Sequence, residues 1–327
     1  MKHRVAIVGA GVSGLTCGVV FAERGHRTMI FAREIGQETT SAVAGALWFP
    51  YDVEPADKAI PWALETYQTL IELARNVESG VSMIELLQLS RIGEIQIPDW
   101  AVPLGARPLP SSVMSSGVET SLNGRSAEFA SGFVLGVPLM DTTIYLDYLA
   151  NRFLKADGQI TKNVRLENLE DVDPQSDLVI NCAGIGAREL VHDCDLEPHR
   201  GQVAIVPTIK DLPYAVVCDD APLMYTIPRR NDCVFGGTND LSDDLAVDSA
   251  TTARIVAECT RTLKIEKPDV LTERVGLRPF RKSGVRIERT RLHDGRTVVH
   301  NYGHGGAGFT LSWGCAAEVL QRGTASS

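Results

Sequence analysis

The chain has 327 residues, 44% of them hydrophobic and 22% charged, enough to bury a large core in one tightly packed unit of two lobes, which excludes disorder. A net charge of -9 and a pI near 5.3, with basic residues dispersed apart from clusters such as Pro228-Arg229-Arg230, argue against a nucleic-acid partner. Seven cysteines without a C-x-x-C pair read as reduced thiols in a cytoplasmic enzyme and against zinc, and no run of about 18 apolar residues offers a membrane span.

In chain order, strand Arg4 to Val8, helix Val12 to Arg24 stopped by Gly25, and strand Arg27 to Phe31 make a βαβ unit. Beyond Pro50, Ala63, Tyr67, Leu70, Ile71 and Ala74 recur at helical spacing, before Pro/Gly/Ser-rich connections from about Pro98 to Gly124. Asp141 offers an N-cap to a helix with Tyr145, Leu149 and Phe153 on one face, ended near Gly158. Asp177-Leu-Val-Ile-Asn181 reads as a buried strand, and the short apolar blocks between Arg200 and Phe235 read as antiparallel strands. A helix over Thr251 to Lys264 and a last helix ending near Gly323 complete the pattern. No signal peptide precedes the first strand, and Thr324-Ala-Ser-Ser327 is not a Ser-Lys-Leu address, so the expected location is cytoplasmic.

Gly9-x-Gly11-x-x-Gly14 follows the first strand and opens the first helix, the placement that lets a pyrophosphate approach the backbone and face the helix N-terminus. A nucleophile elbow does not fit the spacing around Ser13. After the second strand stands Phe31-Ala32-Arg33-Glu34, where Arg33 could hold a 2'-phosphate of NADP, Glu34 could take the ribose, or the two could form a solvated ion pair.

At the other terminus, four glycines fall within the six residues Gly303 to Gly308, so the backbone there must pass close to something flat or charged. The run Val298 to Ala316 resembles the signature of the D-amino acid oxidase family of flavoenzymes. Ser41 to Tyr51, Val179 to Gly184, Arg200-Gly-Gln202, Tyr225-Thr-Ile-Pro228 and Gly276 to Arg281 agree with it, in order and over nearly the whole chain. The resemblance implies an α/β fold: a Rossmann-like FAD-binding domain (residues 1–50, 140–190 and 276–327) interleaved with an α+β substrate domain (51–139 and 191–275) carrying a mostly antiparallel sheet.

It also implies site residues. Arg278 pairs with the substrate carboxylate through a bidentate guanidinium fork, Tyr225 donates to the same carboxylate, and the Gly306 carbonyl accepts the substrate amine. Their bland readings are a structural ion pair and a buried strand tyrosine. No general base is assigned, because a neutral amine can drive hydride transfer to flavin N5; His300 and His304 fall in the glycine-rich run with supporting roles. The expected FAD set is Gly9, Ala10, Gly11, Val12, Ser13, Gly14, Ala32, Arg33, Glu34, Thr40, Ser41, Gly45, Ala46, Leu47, Val164, Ala183, Gly184, Gly305, Gly306, Ala307, Gly308, Phe309 and Thr310. Thr310 is expected to cap the last helix, whose positive end would stabilise the reduced flavin.

Departures from the family pattern set the expected substrate. Ala221 stands where mammalian relatives carry a lid tyrosine, and Asn239 follows Gly236-Gly-Thr238 where D-aspartate oxidases carry an arginine. With Phe49, Tyr51 and Met224 forming an apolar pocket, the expectation is oxidative deamination of neutral or hydrophobic D-amino acids to 2-oxo acids, ammonia and hydrogen peroxide. Glycine or secondary-amine oxidation, D-aspartate oxidation, and a non-catalytic flavin- or NADP-binding protein are the alternatives. The expected partners are a small D-amino acid and molecular oxygen, without nucleic acid or membrane, and with a homodimer left open.

Overall fold

The computed structural model describes residues 2–50, 53–109 and 129–325; Tyr51 and part of the Pro98 to Gly124 connection lie outside the described residues. The strands begin with β1 (Arg4–Ala10), β2 (Arg27–Ile35), β3 (Val81–Ser90), β4 (Arg107–Pro108) and β5 (Ser131–Met140). They continue with β6 (Gln159–Thr161), β7 (Leu178–Asn181), β8 (Leu196–Val206), β9 (Tyr214–Cys218) and β10 (Met224–Pro228). The last are β11 (Cys233–Gly236), β12 (Asp240–Leu241), β13 (Thr272–Arg281), β14 (Arg286–Arg291) and β15 (Thr297–Tyr302). Among the described residues the long helices are α1 (Val12–Glu23), α2 (Ala56–Leu73), α3 (Thr142–Lys155), α4 (Ser249–Leu263) and α5 (Gly308–Thr324).

Among the described residues, the first sheet has six strands in the order β14-β15-β7-β1-β2-β6. β1 lies parallel to both β2 and β7, covered on both faces, which is why its sequence is an unbroken apolar run. Gly14 lets α1 lie on β1, because a Cβ there would stand 1.9 Å from the Gly9 carbonyl oxygen. Gly314 serves α5 in the same way against the Trp62 backbone, 2.3 Å from where a Cβ would be. Asp141 caps α3 as expected, its Oδ1 accepting from the Thr143 N–H at 3.0 Å.

Among the described residues, the second sheet has nine strands, ordered β12-β8-β11-β10-β9-β3-β5-β4 with β13 also on β8, antiparallel except where β3 meets β9. β13 runs through the expected domain boundary at residue 276: it pairs with β8 from Thr272 to Arg281, so the chain returns to the first sheet only after Arg281. α4 covers the outer face of this sheet, where Met224, Phe235, Ile255, Val256 and Cys259 form a separate core. No helix of the described residues is long and apolar enough to cross a membrane.

Candidate active site

A cavity of about 600 Å³ lies between the two sheets. From the first sheet and its loops it is lined by Gly9 to Ser13, by Ala32, Arg33 and Glu34, and by Thr40, Ser41, Gly45, Ala46 and Leu47. Val164, Ala183, Gly184, Gly305, Gly306, Gly308 and Phe309 complete that side. The second sheet contributes Val203, Val217, Tyr225, Ile227 and Arg278, and Phe49 closes the gap between them.

Two helices start at this cavity. α1 begins after Gly11 with no side-chain cap, and its Val12 N–H donates to Ser41 Oγ at 3.0 Å. α5 begins after Ala307, also without a side-chain cap, and Gly308 and Phe309 of its first turn line the wall. Both positive helix ends therefore face one space, as an anionic dinucleotide requires. Gly9 has φ +104°, and a Cβ there would come within 2.4 Å of the Cys182 carbonyl, so the turn admits only glycine and leaves bare backbone toward the ligand. This cradle fits FAD.

Three expected cofactor residues, Gly14, Ala307 and Thr310, act at one remove. Gly14 and Ala307 do not line the cavity; they seat α1 on β1 and start α5. Thr310 is not the cap expected of it: its hydroxyl donates to the Phe49 carbonyl at 3.0 Å and accepts from the Phe49 N–H at 3.2 Å, fastening the Phe49 loop to α5. Arg33 and Glu34 both line the wall and are ion-paired to each other at 2.8 Å.

At the substrate end the glycines decide what fits. The Tyr225 ring lies flat on Gly236 and Gly237, where a Cβ would approach ring atoms to 2.0 and the hydroxyl to 2.7 Å respectively. The Arg278 guanidinium lies on Gly201 in the same manner, 2.5 Å from where a Cβ would stand. Arg278 Nη1 donates to the Thr238 carbonyl at 2.8 Å and to Asn239 Oδ1 at 3.3 Å, and among the described residues no carboxylate comes within ion-pair distance of it. Its charge is thus held in a half-buried site without a counter-ion. Burial pushes the Tyr225 hydroxyl pKa up, opposed by Arg278, so the phenol stays a donor at neutral pH.

Met224 does not belong to the pocket. Successive strand residues point to opposite faces, so with Tyr225 inward Met224 points outward, fully buried beneath α4. The cavity face instead carries Gln88, Val217 and Tyr225 in one row, because Gln88 pairs with Val217 and Val217 with Tyr225 across three strands. Gln88, missed from sequence because this register is long-range, is 4% exposed, donates from Nε2 to Asp219 at 2.8 Å and has no partner for Oε1 among the described residues. Asp219, also missed, lines the cavity beside it.

The two histidines of the glycine-rich run support it. His304 Nε2 donates to Asn301 Oδ1 at 3.1 Å, and Asn301 Nδ2 reaches Cys17 Sγ at 3.3 Å. His300 accepts from Asn181 at 3.4 Å and contacts Thr290 Oγ1 at 3.0 Å. Burial, aided at His300 by Arg286, lowers both pKa values from 6.5 to about 4, so both rings are neutral imidazoles near neutrality, each with a single N–H. Above pH 6.5 folded and unfolded chains are alike neutral at these sites; below it the unfolded chain takes up protons that the folded one cannot. Unfolding free energy should therefore fall by about 3 kcal/mol between pH 7.5 and 5.5, summed over both rings. Urea titrations at the two pH values check this, and equal stabilities would contradict the assignment.

Residues 4–322 match the family described as FAD dependent oxidoreductase. The chain is 40% identical over 323 residues to a D-amino-acid oxidase of Streptomyces coelicolor, covering 97% of this chain and 95% of the relative. A D-amino-acid oxidase of Rubrobacter xylanophilus is 36% identical over 324 residues, covering 97% and 94%. Among solved structures, glycine oxidase from Geobacillus kaustophilus superposes with a TM-score of 0.82 at 18% identity, covering 98% of this chain and 94% of that one, a likeness of fold. With the family matched from the first strand to the last helix and the cavity shaped for its cofactor, the chain belongs to the FAD-dependent oxidoreductases of the D-amino acid oxidase family.

Proposed function

We propose that the protein oxidises neutral and hydrophobic D-amino acids with FAD, the first sheet holding the dinucleotide and the second presenting the substrate. The observation that carries this is Arg278, a fixed guanidinium with no acidic partner among the described residues, standing beside a protonated Tyr225 over the same cavity wall as Gly306. A carboxylate is the ligand such a pair lacks. Arg278 and Tyr225 bind that carboxylate and the exposed Gly306 carbonyl accepts the amine, so two of the substituents on Cα are fixed and the third, the side chain, must turn toward Phe49, Leu47 and Val217. That three-point hold selects one enantiomer. FAD, when bound, would supply the two-electron acceptor for the Cα hydride, leaving an imino acid that hydrolyses to a 2-oxo acid and ammonia, with peroxide as the product of flavin reoxidation by oxygen.

No proton-abstracting side chain is assigned. His304 is buried, bonded to Asn301 and neutral, so it contributes structure alone. The seven cysteines are all unpaired, six of them buried, which supports a reducing, cytoplasmic setting. The cavity-lining carboxylates Asp219 and Asp243, together with Asn239 beside Arg278, disfavour an anionic side chain.

Peroxide release should be measured with D- and L-alanine, valine, methionine and aspartate, and with glycine and sarcosine. The expected result is turnover of D-alanine, D-valine and D-methionine, with the L-enantiomers and D-aspartate slower by at least about a hundredfold in kcat/KM. Turnover confined to glycine and sarcosine would replace this reading with small-amine oxidation. Flavin binding without peroxide from any of them would remove the catalytic reading.

A further inference from the structure

The Arg200-Gly-Gln202 triplet stands out in the sequence, yet only its glycine touches the clamp. Its other two residues form the centre of a buried polar network directly behind Arg278. Arg200 Nε donates to the Asp244 carbonyl at 2.9 Å, and its Nη2 donates to the Ala246 carbonyl and to Gln202 Oε1, both at 2.6 Å. Gln202 Nε2 donates to the Asp248 carbonyl and to Thr252 Oγ1, both at 2.7 Å, while its Oε1 also accepts from the Asp248 N–H at 3.1 Å. These bonds tie the segment from 238 to 248 to β8 at its far end.

Its near end is tied by Thr238. The threonine hydroxyl accepts from the Gln202 N–H at 3.0 Å and donates to the Arg200 carbonyl at 3.2 Å, bridging both residues that flank Gly201. The same residue's carbonyl is the 2.8 Å acceptor for Arg278 Nη1, and the next residue supplies the second acceptor, Asn239 Oδ1. Arg200, Gln202 and Thr238 are 7%, 0% and 5% exposed, so the network does not compete with bulk water. Gly201, in the middle, is the surface on which the guanidinium lies.

We infer that Thr238 is a positioning residue for the carboxylate clamp, with Arg200-Gly201-Gln202 as the template that holds it. One hydroxyl, bonded to the residues on either side of Gly201, fixes the carbonyl that aims Arg278, so the guanidinium is oriented before a carboxylate arrives. Arg200 supports this without neutralising it: each of its bonds goes to a carbonyl or amide oxygen, and among the described residues no carboxylate pairs with either arginine. The acid that the network does hold, Glu273, accepts from Thr252 Oγ1 and bonds neither arginine, so it does not draw the clamp away from substrate. The inference rests on Arg278 being the carboxylate anchor.

The test uses the FAD-loaded enzyme with Thr238→Val, which keeps the shape and removes the hydroxyl, and Thr238→Ser, which restores it. The readouts are the dissociation constant of benzoate, a carboxylate without an amine, followed by the flavin spectrum, and KM and kcat for D-alanine. In Thr238→Val the benzoate constant and KM should rise together by about tenfold, while kcat at saturation changes less than about twofold, because bound carboxylate itself then holds the arginine. Thr238→Ser should return both to within about threefold of the parent. A Thr238→Val enzyme that binds benzoate as the parent does, or one that loses kcat with benzoate binding intact, overturns the inference. Should Thr238→Val fail to load FAD, Arg200→Lys, which loses the bonds to Ala246 and Gln202, takes the same readouts with the same expected parallel rise, and an unchanged benzoate constant there overturns the inference equally. A parent enzyme that neither binds benzoate nor oxidises any D-amino acid defeats the functional reading itself; an active parent with insensitive variants defeats only the positioning role.

Discussion

Arg278→Ala should lower kcat/KM for D-alanine by two to three and a half orders of magnitude, about 3 to 5 kcal/mol, while the protein still carries its flavin. The size follows from what the substitution leaves behind. The substrate carboxylate would enter a half-buried site whose other donor is the Tyr225 phenol, and a phenol supplies one hydrogen bond and no charge. The flavin should remain because the cradle around Gly9 to Ser13 and the start of α5 are built by other elements and make no bond to Arg278. Arg278→Lys should recover only part of the loss, since an ammonium cannot make the bidentate fork and would not reach the Thr238 carbonyl with the same geometry. Steady-state kinetics of both variants, with visible flavin absorbance as the control, check this. An alanine variant with parental kcat/KM would mean that the carboxylate binds elsewhere.

The parts of the molecule that could be read from the sequence are those governed by local rules. β1, α1 and β2 follow from an apolar run, a helical stretch and a glycine stop, and the Asp141 cap follows from a side chain that reaches two residues ahead. Tyr225, Arg278 and Gly306, placed by family resemblance, line one cavity, although nothing in their spacing states that Tyr225 and Arg278 meet. Met224 was open to local correction: period-two alternation forbids two neighbours on one strand from sharing a face, so choosing Tyr225 excludes it. Thr310 misled because threonine is a good cap, but Gly308 already lies within the helix and the hydroxyl is used on Phe49. Gln88, Thr238 and the passage of β13 beyond residue 276 depend on strand partners more than thirty residues away, which no window along the chain contains.

One methyl group added at Gly14 should defeat the cofactor cradle. A Cβ on Gly14 would stand 1.9 Å from the Gly9 carbonyl oxygen and 2.9 Å from its carbon. Neither atom can turn aside as a flexible side chain could, since Gly9 closes the turn at φ +104° against the Cys182 carbonyl. Gly14→Ala must therefore lift α1 from β1, at the upper end of the roughly 1 to 3 kcal/mol that overpacking costs, or beyond it. That displacement also moves the helix N-terminus, with its Val12 N–H, away from where a pyrophosphate would sit. The expected product is a colourless, less stable protein that binds added FAD at least about a hundredfold more weakly, so flavin titration reads the effect without any assay of turnover. Gly93→Ala, where nothing lies within 4 Å of the added methyl, serves as the control and should load FAD as the parent does. A yellow, stable Gly14→Ala protein would show that α1 and β1 can part without disturbing the ligand, and the close approach at Gly14 would then have no bearing on cofactor binding.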